Sequence, residues 1–287
     1  MRIELEEILQ YFPKRIQNSH KGTYGKILNI AGSEFYAGAA ILSSLSALKT
    51  GAGYVTLACP SQICSSVISY TPDITIFPLK NTNGCINTDS VNTVLNKLTE
   101  YDVFSIGSGL SQNAETQKFV TEFLSKADKP CVIDADALNA ISAAHSVKLP
   151  EKSVITPHPR ELSRLLDVSV ETIQTDREKY AQTASEKYNC TVVLKGHETV
   201  VADGNRIYIN KSGNSALAKA GSGDVLTGMI SGIGAQMKNK DLFYAASLGV
   251  YLHGLAAETG SENTTEYGLL ASEIIDYIPQ AIKYILK

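Results

Sequence analysis

Short apolar runs alternate with longer stretches of helical spacing along most of this chain. Lys26–Ala31, Tyr54–Ala58, Val103–Ile106, Cys131–Ile133, Val154–Thr156 and Thr191–Leu194 have the length of buried strands. Between and around them, apolar residues recur every three or four positions. Ile41, Leu42, Leu45 and Leu48 mark a helix over Gly38–Lys49, with Gly51 placed to end it. Phe119, Val120, Phe123 and Leu124 mark another over Thr116–Ser125. Further helices are expected over Glu171–Lys187, Asp241–Glu258 and Ala271–Ile285. Val200–Ala202 and Arg206–Ile209 flank Asp203-Gly204-Asn205 and read as a hairpin. The polar loop Gly260–Gly268 is expected to be exposed.

Strands alternating with helices imply βαβ units, a mostly parallel sheet and helices on both faces. Ligands in such sheets bind beyond the carboxyl ends of the strands. Here glycine-rich or polar motifs follow nearly every strand: Gly32-Ser33, Gly107-Ser108-Gly109-Leu110, Asp134-Ala135-Asp136, Pro157-His158-Pro159 and Lys195-Gly196-His197. Turn chemistry alone does not explain that distribution.

The densest motif is Ala216–Gly228, ALAKAGSGDVLTG. Gly221-Ser222-Gly223 runs into Asp224, and Val225, Leu226, Met229, Ile230 and Ile233 follow at helical spacing. A helix N-terminus offers unpaired N–H groups and positive potential, and so favours phosphate or developing negative charge. The plainer reading makes Asp224 a helix cap. Against it stand Gly221, Gly223, Gly228, Gly232 and Gly234, which weaken a helix and call for a packing or ligand reason. Gly38-Ala39-Ala40 is small enough for a flat ligand, and equally suits close helix–sheet packing. His20 and Lys21 read as a solvated loop more readily than as an anion contact.

Composition narrows the classes. The chain has 287 residues, 44% of them hydrophobic, with a formal net charge of −3. That supports a sizeable core in one domain spanning residues 1–287, and no basic surface argues for nucleic acid. No window has the apolar length of a membrane span. Glutamates at positions 4, 6 and 7 precede any apolar core, so no secretory signal is expected. Cys59, Cys64, Cys85, Cys131 and Cys190 form no CxxC pair and suit a reducing cytoplasm. Neither a GxGxxG fingerprint after the first strand nor a GxxxxGK[ST] loop is present, which disfavours a plain dinucleotide oxidoreductase and a Walker-type site.

The order TPHPRE, KGHET, AGSGD carries the remaining chemistry. With HKGTYGKILNIAGS, GAAILSSLSALKTGAGYV, IGSGL, VIDADAL and YLHG, it makes the chain resemble the ADP- or ATP-dependent NAD(P)H-hydrate dehydratases over nearly its whole length. Ser222 stands where that family commonly has Thr, and Ser108 where it commonly has Pro. The resemblance implies a ribokinase-like α/β fold of three layers, without the epimerase domain that some relatives carry.

It also implies a reaction: the 6S hydrate of NADH or NADPH is phosphorylated at its C6 hydroxyl by ADP or ATP, and phosphate then leaves. Asp224 would be the general base. Ala39, Gly109, His158 and Asp224 would contact the hydrated cofactor. Lys195, Gly196, His197, Glu198, Thr199 and Gly223 would bind the nucleotide, and Gly221, Ser222 and Gly223 would form an anion hole. Mg²⁺ would be held by phosphates and water, with no protein ligand assigned. A homotetramer is implied as well. The nearest rival is a ribokinase-like vitamin or sugar kinase, which would stop at phosphorylation. A nucleotide-sensing protein with a dead site is disfavoured by the intact Asp224 and glycine loop.

Overall fold

The computed structural model describes residues 1–144 and 147–287. Its strands are β1 Lys26–Ile30, β2 Tyr54–Pro60, β3 Thr75–Leu79, β4 Asn81–Thr82, β5 Cys85–Ile86, β6 Val103–Ile106, β7 Cys131–Ile133, β8 Ser153–Ile155, β9 Thr191–Leu194, β10 Val200–Asp203 and β11 Arg206–Ile209. Nine of them form one sheet in the order β11-β10-β9-β8-β7-β6-β1-β2-β3. All neighbours from β3 through β9 are parallel, and only the β10–β11 hairpin introduces antiparallel pairing.

The helices are α1 Leu5–Leu9, α2 Ala37–Lys49, α3 Cys64–Tyr70, α4 Val91–Leu98, α5 Ala114–Lys126, α6 Asp136–Ala144, α7 Pro159–Leu166, α8 Val170–Thr175, α9 Arg177–Tyr188, α10 Ser222–Gln236, α11 Leu242–Asn263 and α12 Ala271–Ile285. Strand alternation sorts them into two layers. Cys131 and Ile133 point into a core shared with α4–α9. Val132 between them points the other way, into a core shared with α1, α10, α11 and α12. Sheet and two helical layers make the three-layer ribokinase-like fold.

The strand sequence reverses direction across the sheet between β1 and β6, so a crevice opens beyond their carboxyl ends. There Gly32 N donates to Ser108 O at 2.8 Å, and Ser33 Oγ donates to Gly109 O at 2.8 Å. Helix α10 enters this crevice with its N-terminus.

Glycine explains how α10 gets there. A Cβ on Gly228 would lie 2.0 Å from both Ser43 O and Ser46 Oγ of α2, and one on Gly232 would lie 2.6 Å from Ala47 O. These two glycines are therefore packing residues, which let α10 and α2 cross backbone to backbone. Gly228→Ala is expected to destabilise the protein by about 1–3 kcal/mol through overpacking, outweighing the roughly 1 kcal/mol by which Ala favours a helix. A thermal melt checks this. A raised Tm would show that helix propensity governs the position and that the close crossing does not.

Several boundaries differ from the sequence pattern. β3 is not signalled, because Pro78 interrupts its apolar run. It survives as an edge strand, where a missing N–H costs no ladder bond. The helix expected over Glu171–Lys187 is two helices. Asp176 breaks it with φ −156° and ψ 78°, and its Oδ1 caps α9 by accepting from Lys179 N at 3.0 Å. α11 runs to Asn263, so the first part of the Gly260–Gly268 loop is helical. His20 Nδ1 accepts from Gly22 N at 3.1 Å and so caps a short turn.

Candidate active site

The loop before α10 turns through Gly221, whose φ of 93° lies in the left-handed region that favours glycine. Ser222 is the first residue of α10 and Asp224 the third. No side chain caps this end; Ser222 N donates to Lys219 O at 3.3 Å, and the N–H groups of Gly223 and Asp224 remain available to an anion. Gly223 faces Lys195: a Cβ there would sit 3.5 Å from Lys195 Nζ and 3.8 Å from Asp134 Oδ2.

The Lys195 ammonium is held in place from below. Its Nζ donates to Asp134 Oδ1 at 2.7 Å and lies 3.9 Å from Glu161 Oε2. Thr156 Oγ1 donates to the same Asp134 oxygen at 2.7 Å, and Thr227 Oγ1 donates to Asp134 Oδ2 at 2.9 Å. Asp134 is 1% exposed. A buried carboxylate is tolerated here because both of its oxygens are satisfied and a cation neutralises it. Burial works against the Lys195 charge, but Asp134 and Glu161 outweigh it and raise its pKa, so the ammonium persists at neutral pH.

Asp224 stands against this network. Burial, and then repulsion from Asp134, push its carboxyl up to about 7, while the Ser108 hydroxyl and Lys195 pull the other way. Such a group is poised to exchange a proton near neutrality. Its neighbour Ser108 has a buried Oγ without an ordinary hydrogen bond among the described residues.

His158 lies at the start of α7, after β8. Its Nδ1 accepts from Arg160 N at 3.1 Å and Glu161 N at 3.3 Å, while the backbone N–H of His158 donates to Glu161 Oε2 at 2.7 Å. This is a capping box, so His158 caps the entry to α7. Burial, then Lys195 and Arg164, lower its pKa to about 4. The ring is therefore neutral, with its acceptor nitrogen used by the cap and its Nε2 3.6 Å from Glu161 Oε1 on a side chain that is still 45% exposed.

One cavity of about 540 Å³ gathers Lys195, Gly196, His197, Glu198, Thr199, Ser222 and Gly223. Its wall is pinned by Arg177, whose Nη2 donates to Leu194 O at 3.0 Å and Lys195 O at 3.3 Å. Gly196 packs on that guanidinium with φ 144°. Ala39, Gly109, His158 and Asp224 do not line this cavity. Ala39 and Gly109 touch each other instead, since a Cβ on Gly109 would lie 2.9 Å from that of Ala39. The expected nucleotide residues thus come together in one place. Ala39 and Gly109 form a second place in the crevice, and Asp224 stands between the two beside Ser108 and Lys195.

Asp134, Glu161 and Thr227 have no site role in the sequence reading, although all three lie in motifs it quotes. A signal existed for each: Asp134 ends a strand, Glu161 belongs to TPHPRE, and Thr227 lies one turn past Asp224. Among the described residues no three His, Cys, Asp or Glu side chains are grouped to hold a metal ion.

A family model described as NAD(P)H-hydrate dehydratase matches residues 27–280. The chain is 35% identical to the ADP-dependent (S)-NAD(P)H-hydrate dehydratase of Bacillus subtilis, over 97% of this chain and 96% of that protein. A crystal structure of the ADP/ATP-dependent NAD(P)H-hydrate dehydratase from Bacillus subtilis, co-crystallised with ATP/Mg²⁺, superimposes with a TM-score of 0.84 at 32% identity, covering 98% and 96% of the two chains. The bifunctional NAD(P)H-hydrate repair enzyme Nnr of Moorella thermoacetica is 38% identical over 94% of this chain and 52% of its own length. The chain thus spans about half the length of such bifunctional relatives.

Proposed function

Because the chain belongs to the NAD(P)H-hydrate dehydratase family, we propose that it dehydrates the 6S hydrate of NADH or NADPH with ADP or ATP as phosphoryl donor. The observation that carries this reading is Asp224. It is a carboxyl group raised to about 7, at an uncapped helix N-terminus, beside a buried lysine and between a nucleotide-sized cavity and the Ala39–Gly109 crevice.

The chemistry follows from those positions. Ionised Asp224 takes the proton of the C6 hydroxyl as its oxygen attacks the terminal phosphorus. The N–H groups at Gly221, Ser222 and Gly223 and the Lys195 ammonium stabilise the charge on the transferring phosphoryl. The C6–O bond then breaks. The ring nitrogen lone pair drives phosphate out, and loss of a proton from the neighbouring C5 restores the dihydronicotinamide. The products are NAD(P)H, phosphate and AMP (or ADP). Neutral His158 offers its Nε2–H to the hydrated cofactor.

Mg²⁺ fits this site as a phosphate-bound ion held with water, where it would screen the phosphate charges. Both oxygens of Asp134 are already engaged, and no three-residue cage is available among the described residues. The reading extends to residues 1–287 as one ribokinase-like domain, and to a homotetramer in a reducing cytoplasm.

Incubation of the protein with 6S-NADH hydrate, ADP or ATP and Mg²⁺ tests the activity. Reappearance of the absorbance of NADH supports it, and unchanged hydrate removes it. The pH dependence follows from Asp224. Only its ionised form accepts a proton, so kcat/KM is expected to fall about tenfold per pH unit below about 7 and to level off above. A profile flat from about pH 5 to 8 would count against Asp224 as the base.

A further inference from the structure

His253, on α11, also lines the 540 Å³ cavity. It is only 6% exposed, and its Nε2 is buried without a hydrogen-bond partner among the described residues. An unpartnered buried imidazole nitrogen is costly, and such groups call for a reason. Nothing in the mechanism above uses it.

Its surroundings suggest the reason. The wall beside the Lys195–Thr199 loop is formed by Asn210, Ser212 and Gly213, with Asn210 N donating to Thr199 O at 2.9 Å, and this segment is stitched to α11 beside His253. Asn210 Nδ2 donates to Val250 O at 3.3 Å, Ser212 Oγ to Tyr251 O at 2.8 Å, and Gly213 N to Glu258 Oε1 at 2.6 Å. A Cβ on Gly254 would lie 2.5 Å from Ser212 C and 2.7 Å from Gly213 N, so the backbones are in direct contact. Wall and α11 are therefore joined on either side of the imidazole.

Lys195 and Gly223 mark the anion end of the cavity, and Leu217, Leu226 and Val250 supply its apolar part. His253 lies one turn beyond Val250 on α11. Burial, and then the field of Lys195, lower its pKa to about 4, so it is a neutral donor and acceptor. The orphaned Ser222 Oγ lines the same cavity.

We propose that His253 is a nucleotide-contacting residue, its imidazole satisfied by a ribose hydroxyl or by the phosphate nearest the ribose of a bound adenine nucleotide. This rests on the reading of the cavity as the nucleotide site.

The test compares wild type with His253→Leu, measuring the Kd for ADP by calorimetry, KM for ADP and for the hydrate, and Tm. The variant is expected to bind ADP roughly tenfold more weakly while KM for the hydrate holds. Its Tm should be unchanged or raised, because an apolar side chain replaces an unsatisfied polar one. A histidine with a merely structural role would give the opposite pattern: lowered Tm and unchanged ADP affinity. Should His253→Leu not fold, His253→Asn withdraws the polar group from the cavity, and the same Kd comparison decides. 2′-Deoxy-ADP separates the two partners. With 3′-deoxy-ADP beside it, a wild type that binds either analogue more weakly than ADP, and a variant that does not discriminate, make that sugar hydroxyl the partner; a wild type that binds both as tightly as ADP makes it the phosphate. An unchanged ADP Kd in a folded variant overturns the proposal and leaves the nucleotide site standing. Failure of the wild type to bind either ADP or ATP overturns that site, and the proposal with it.

Discussion

Asp224→Asn is expected to fold, to bind both ADP and the hydrate, and to turn over about 10²–10⁴-fold more slowly than wild type. The substitution removes a group in the crevice that is both buried and poised near neutrality. It keeps the size and polarity of the side chain. The cap reading gives a different result, since Asn caps a helix about as well as Asp. The structure already weakens that reading: Gly221 occupies the cap position of α10, and no side chain accepts from its first N–H groups. Asn also lifts the repulsion between Asp224 and the buried Asp134. A Tm equal to or above that of wild type is therefore expected together with the loss of turnover. Near wild-type turnover in a folded Asp224→Asn protein would remove Asp224 from the chemistry.

Much of this site was legible along the chain because the strand ends carry it. Gly107-Ser108-Gly109, Pro157-His158-Pro159, Lys195-Gly196-His197 and Gly221-Ser222-Gly223-Asp224 each stand at an element boundary that hydrophobic period alone locates. The glycines of α10 divide as conformation and packing require. Gly221 serves the turn, while Gly228 and Gly232 serve the crossing with α2. Period could not separate these uses, because the partner helix lies about 180 residues earlier in the chain.

The Asp134–Lys195–Thr227 contact was illegible for the same reason, as it joins residues 61 and 93 positions apart. The orphaned His253 was illegible because burial without a partner is a property of the packed molecule. Pro78 and Asp176 hid two boundaries by opposite means. Proline disguised an edge strand, and an aspartate suited to a helix surface broke one to cap the next.

Lys195→Met is the second substitution of large expected effect, and it acts on two properties at once. It leaves Asp134 buried with only two threonine hydroxyls as donors. Loss of one partner from a buried ion pair costs about 3–5 kcal/mol, so Tm should fall by on the order of 10 °C. Turnover should fall as well, by about 10²–10³-fold, because the ammonium beside Gly223 no longer meets the transferring phosphoryl.

The double variant Lys195→Met with Asp134→Leu separates the two effects. Removing both charges replaces the ion pair with apolar groups, which is often neutral for stability. Tm should recover while turnover stays low. Recovery of both together would mean that Lys195 serves only to neutralise Asp134 and takes no part in phosphoryl transfer.

The central claim is that the hydroxyl leaves the hydrate as part of a phosphate group. Oxygen labelling follows this atom directly. 6S-NADH hydrate carrying ¹⁸O in its C6 hydroxyl is turned over with unlabelled ADP or ATP and Mg²⁺, and the inorganic phosphate is collected for mass spectrometry. One ¹⁸O per phosphate released, with one NADH formed for each, is the expected result. Label appearing in water, or a phosphorylated hydrate that accumulates without giving NADH, would contradict it.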